Sequence, residues 1–124
     1  MSENFWGDLT DLKTIRTPKA ILVDQAELLN RATSGIVRAQ ITTGQNSETL
    51  INSLSLVAPA PGNYTYLVCT VSYNIDIYPC RVYDAATKQS QQCENEEDFK
   101  AKLKVILGSA KTKSVIEALL SQSK

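Results

Sequence analysis

The sequence predicts a two-layer α+β domain: an N-terminal helix, an antiparallel meander of about four strands, and a C-terminal αα-hairpin. Three observations predict it. Apolar residues recur at helical spacing after Thr17-Pro18 and again after Asn95, and between residues 36 and 83 they mostly alternate with a period of two. The strand-like runs follow one another across short polar turns, which favours antiparallel neighbours. Helices precede and follow the sheet, so they are expected to cover one of its faces. The 124 residues suit a single domain, divided into a strap (1–16), a helix (17–35), the sheet (36–83) and the αα-hairpin (95–123).

The strap carries Phe5, Trp6, Leu9, Leu12 and Ile15 at loosely helical spacing, interrupted by Gly7. It is expected to be pinned to the body by Phe5 and Trp6. Thr17-Pro18 is a helix start: the Thr17 hydroxyl can accept a backbone N–H, and proline suits the first helical position. Ile21, Leu22, Leu28, Leu29 and Ala32 form the apolar stripe, with Asp24, Glu27 and Arg31 opposite, and Ser34-Gly35 supplies the stop.

Residues 36–43 place Val37, Ala39 and Ile41 on one face and Arg38, Gln40 and Thr42 on the other, a half-buried strand. Residues 49–57 carry Leu50, Leu54 and Leu56 on one side, with Ser53 and Ser55 on the other, and fit either a strand or a short helix limited by Pro59 and Pro61. Residues 64–73 are the strongest strand, rich in aromatic and β-branched residues. Tyr66 and Val68 fall on one side of it; Leu67, Cys69, Val71 and Tyr73 fall on the other. Such a strand predicts burial on both faces, with the strap, a second copy or another protein as the second cover. Residues 77–83 follow as a strand placed at the edge, because Pro79 cannot donate to a ladder. Asn95 caps a helix opened by Glu96, Glu97 and Asp98, whose stripe is Phe99, Leu103, Ile106 and Leu107. Gly108 ends it. Ser109 or Thr112 caps the last helix, with Val115, Ile116, Leu119 and Leu120 inward.

Lys plus Arg equals Asp plus Glu at 13 each, so no global field draws the chain to nucleic acid or an anionic membrane. The opening residues are acidic and polar where a secretory signal would be basic and then apolar, and no apolar run spans a bilayer, which predicts a cytoplasmic protein with no membrane partner. The sequon Asn63-Tyr64-Thr65 carries no meaning in that compartment. Cys69, Cys80 and Cys93 are odd in number and widely spaced, which suggests no disulfide framework, and the polar surroundings of Cys93 make it the expected exposed thiol.

The chain has no histidine. That removes the commonest general base near neutral pH, Ser-His and Cys-His nucleophile activation, and histidine-containing metal sites. The carboxylates show no paired arrangement, the cysteines lack the close spacing of a zinc site, and each of the five glycines stands alone at an element boundary. No catalytic residue, metal or cofactor is therefore expected.

Segments 17–29, Ile77-Tyr78-Pro79 and Lys111-Thr112-Lys113 resemble small bacterial or phage α+β proteins of unassigned function. The resemblance implies a bacterial or phage origin and no activity.

The reading that follows is a non-enzymatic interaction module with a protein partner or a homo-oligomer. Trp6, Tyr64, Tyr66, Tyr73 and Tyr78 are its candidate contact residues, since tyrosine and tryptophan are favoured interface anchors. The alternative is nucleic-acid binding through Lys100, Lys104 and Lys111, with tyrosines as stacking surfaces. Against it, the last helix has few basic residues and no arginine. An enzyme using carboxylate or cysteine chemistry is the weaker third class.

Overall fold

The computed structural model describes residues 3–10, 12–58, 62 and 64–122. Thr17 lies in extended backbone and its hydroxyl accepts the Ala20 N–H at 3.1 Å, so helix α1 (Pro18–Ala32) starts where the Thr-Pro pair predicts. It ends three residues before the expected limit. Asn30 and Thr33 terminate it and fasten it to the sheet. The Thr33 hydroxyl donates to the Val37 carbonyl at 2.7 Å and accepts the Val37 N–H at 3.2 Å, while Asn30 Oδ1 accepts the Ala39 N–H at 3.1 Å. Ser34 and Gly35, both with positive φ, turn the chain between these anchors.

The sheet has five strands in the order β1-β2-β3-β4-β5, all antiparallel: β1 (Arg38–Asn46), β2 (Thr49–Ala58), β3 (Tyr64–Tyr73), β4 (Cys80–Asp84) and β5 (Gln89–Cys93). Residues 49–57 are thus strand, and the meander has one strand more than expected. The addition, Gln89-Ser90-Gln91-Gln92-Cys93, has no apolar alternation because it pairs with β4 alone and all but its last residue face solvent. It takes the edge position expected for residues 77–83. Pro79 precedes β4 and breaks no ladder.

A bulge in β3 replaces the expected two-sided burial. Leu54 pairs with Cys69 but Ser55 pairs with Leu67, which leaves Val68 as an extra residue. The inward set therefore changes parity along the strand, from Tyr66 opposite Leu56 to Cys69, Val71 and Tyr73. Val68 is itself buried, whereas Leu67 is 40% exposed beside Thr65, Thr70 and Ser72. Apart from Leu67 and the terminal Tyr64, the apolar residues of β3 are thus consumed on one side. Ser53 Oγ and Thr70 Oγ1 hydrogen-bond at 3.2 Å on the other, the composition of a solvated antiparallel face.

The helices form the second layer. α1 lies against β1 and β2, α2 (Glu96–Leu107) over β3, β4 and β5, and α3 (Ala110–Gln122) over β2. Asn95 Oδ1 accepts the Asp98 N–H at 2.9 Å and Ser109 Oγ accepts the Thr112 N–H at 3.2 Å, so both caps are in place. The two C-terminal helices meet at Gly108-Ser109, and their stripes seat on the sheet as well as on each other. One core runs through every layer, from Ile21 and Leu22 through Leu54, Leu56, Val71 and Val82 to Phe99, Ile106 and Leu119. Phe99 and Leu22 are fully buried. A buried side chain of this size is worth about 1.5–3 kcal/mol relative to an exposed one. Among the described residues, no helix is long and apolar enough to cross a membrane.

Candidate functional site

The described part of the N-terminal arm folds on itself in short turns. Asn4 Oδ1 accepts the Trp6 N–H at 2.9 Å, Asp8 Oδ1 accepts the Thr10 N–H at 2.9 Å, and Gly7 takes a positive φ between them. The Thr10 hydroxyl and N–H also hold the Asp8 carboxyl below its ordinary range. These turns satisfy the backbone locally and leave the side chains outward. Phe5 is 88% exposed, Trp6 82% and Leu12 72%, with Leu9 and Ile15 exposed as well. The expectation that Phe5 and Trp6 pin a strap to the body is therefore corrected. What ties the arm down lies at its base: Tyr78 Oη donates to the Arg16 carbonyl at 3.1 Å, and Arg16 pairs with Asp24 of α1. Single exposed apolar residues are ordinary on a protein surface; five on one short arm are not.

Beside the base of the arm, α1 and α2 frame a cleft of about 620 Å³. Ile21, Leu28, Leu103 and Leu107 make its floor and walls, and Lys100 and Lys104 stand at its rim with Arg16 and Asp24. Gln25, Leu28 and Leu107 also line a smaller apolar recess of about 280 Å³ between α1, α3 and the sheet. Lys100 is engaged with Glu96 at 2.6 Å, one helical turn away, so the rim charge is largely compensated.

The candidate aromatic residues do not form one surface. Trp6 is on the arm. Tyr64 is exposed at the first residue of β3, and Tyr66 is half-buried two residues on. Tyr73, at the far end of the same strand, is buried and its Oη donates to Asn52 Oδ1 at 2.6 Å, so it belongs to the core. Tyr78 is half-buried near Tyr73, and burial, with the Cys80 thiol adding to it, pushes its phenol up to about 12. Of the candidate lysines, Lys100 and Lys104 share the α1–α2 cleft, while Lys111 is exposed in the first turn of α3.

All three cysteines are buried, including Cys93. Its expected exposure is corrected because the unforeseen β5 turns it inward, opposite Cys80 in the ladder. Burial pushes the Cys69 and Cys80 thiols up to about 12 and raises that of Cys93. Nothing in the wide sequence spacing announces the Cys80–Cys93 pairing. The signal was their equal distance from the polar turn at Ala85–Lys88, which would have required recognising β5 first. Among the described residues no group of three or more Cys, Asp or Glu side chains is placed to hold a metal ion.

The chain matches no family model, no curated protein and no solved structure.

Proposed function

We propose that this protein is a non-enzymatic protein-interaction module whose N-terminal arm is the contact element. The observation that supports the reading is the exposure of Phe5, Trp6, Leu9, Leu12 and Ile15 on one arm that is tied to the body at its base through Arg16. Aromatic and aliphatic side chains at this spacing match the anchors of a segment that orders as it enters an apolar groove. The outer sheet face supports this role less well, because the bulge at Val68 turns most apolar residues of β3 inward and leaves Leu67 among Thr65, Thr70 and Ser72.

Trp6 is the sole tryptophan, so its emission reports on the arm alone. The test compares the wild-type chain with a Phe5→Ala, Trp6→Ala double variant by light scattering over a concentration series and by affinity purification from the native cell. A self-association or a stoichiometric protein complex seen only with the wild type, and accompanied by a blue shift of Trp6 emission, supports the reading. A monomer at all concentrations, with the same companions for both chains, overturns it. The alternative, nucleic-acid binding, is favoured by Lys100 and Lys104 sharing one cleft. It predicts an electrophoretic shift at low salt that Lys100→Glu, Lys104→Glu and Lys111→Glu together abolish.

A further inference from the structure

Strands β4 and β5 form a hairpin closed over Ala85–Lys88, where the Lys88 N–H bonds the Asp84 carbonyl at 2.7 Å. Counting back from that turn, Asp84 faces Gln89 and the ladder ends with Cys80 facing Cys93. Directly opposed residues of an antiparallel pair have Cα atoms about 4.5–5.5 Å apart and side chains on the same face. A disulfide requires about 4.4–6.8 Å between Cα atoms. The register alone thus sets this pair inside the range. Both side chains are inward, each residue only 2% exposed. Cys69 cannot compete: it faces Asp84, four positions along β4 from Cys80, or about 13 Å at roughly 3.3 Å per residue.

We propose that Cys80 and Cys93 are a reversible dithiol–disulfide pair, oxidised by exchange with a small disulfide, which staples β5 to β4. Cys93 is the entry point. It borders a shallow surface recess with Asp98, Ala101 and Lys102 of α2. β5 is also an edge strand, joined to the sheet through β4 alone, so it is placed to open ahead of the rest. The Cys93 thiolate attacks one sulfur of the small disulfide, forming a mixed disulfide and expelling one thiolate. The Cys80 thiolate then attacks the Cys93 sulfur, forming the Cys80–Cys93 bond and expelling the second. The pair loses two electrons and two protons, and the small disulfide leaves as two thiols. Burial holds both protein thiols in their protonated form and makes exchange slow. The bond fixes the edge strand and, through Glu94 and Asn95, the start of α2.

The experiment equilibrates the full folded chain with glutathione disulfide and glutathione at graded ratios until its mass stops changing. Digestion then uses trypsin with chymotrypsin, because Cys69 and Cys80 share one tryptic peptide and need cleavage after Tyr73 to be separated. The expected result is a monomer lighter by two hydrogens, with the Cys80 and Cys93 peptides joined, Cys69 still alkylatable, and amide exchange slowed across residues 89–95. Full alkylation of Cys80 and Cys93 at the most oxidising ratio overturns the proposal. So does a bridge involving Cys69, or loss of the two hydrogens by a Cys93→Ala chain.

Discussion

Asn52 and Tyr73 hold one polar point inside an apolar core. Asn52 is an inward residue of β2 between Leu50 and Leu54, and its Oδ1 receives the Tyr73 hydroxyl at 2.6 Å, a short bond between two buried side chains. Among the described residues, no buried side-chain polar atom lacks a partner. Tyr73→Phe removes the donor and leaves the carboxamide oxygen buried without it, so a loss of about 1–3 kcal/mol is expected, read as a lower urea midpoint. Asn52→Leu combined with Tyr73→Phe should recover part of that loss, because it deletes both ends of the bond. Equal midpoints for the single variant and wild type would show that the bond carries no net stability. The sequence marked Leu50, Leu54 and Leu56 as one face and left Tyr73 among surface candidates. The missing inward member at position 52 was the trace of this bond, but a polar residue in an inward slot does not name its partner.

At the scale of the elements, capping was the most legible feature and edge pairing the least. Thr17, Asn95 and Ser109 each hold the N–H three residues on, as their residue types foretell. Asn95 also works with Asp98, whose Oδ2 accepts the Glu94 N–H at 3.1 Å, and Glu96, Glu97 and Asp98 meet the positive end of the α2 dipole. Asn95→Ala should therefore cost about 1 kcal/mol, with Asn95→Asp and Asn95→Ser close to wild type in thermal melts. A loss shared equally by all three would point to a role for Asn95 other than its cap. β5 escaped notice for the opposite reason. Strands are recognised by an apolar face, and Gln89-Ser90-Gln91-Gln92 needs none, because its backbone bonds to β4 suffice at the edge. The bulge at Val68 was equally hidden: an added residue shifts parity in the fold, whereas periodicity in the sequence assumes that parity is kept.

Across the whole molecule, the absence of histidine and the burial of the thiols combine into one pH profile. With no histidine, no side chain at its ordinary value changes charge between about pH 5 and 8, so stability should be flat through neutrality. On the alkaline side Cys69 and Cys80 ionise at 9.0 in the unfolded chain and at about 12 in the fold, chiefly because burial penalises the thiolate. Tyr78 rises from 10.0 to about 12 for the same leading reason. A raised acid pKa means that the folded state keeps its proton after the unfolded state has lost it. The stabilisation is then complete below pH 9 and declines as pH climbs from 9 towards 12. Each such group contributes a slope of at most about 1.4 kcal/mol per pH unit. Urea midpoints measured under reducing conditions should therefore hold steady to about pH 9 and fall steeply above it. Cys69→Ala should start from a lower plateau, because a core atom is lost, yet show a shallower alkaline decline. Cys69 belongs to the same core cluster as residues of α1, α2 and α3, so its ionisation is expected to appear as global unfolding, without local fraying. Identical alkaline slopes for the wild type and Cys69→Ala would refute the assignment of that decline to the buried thiol.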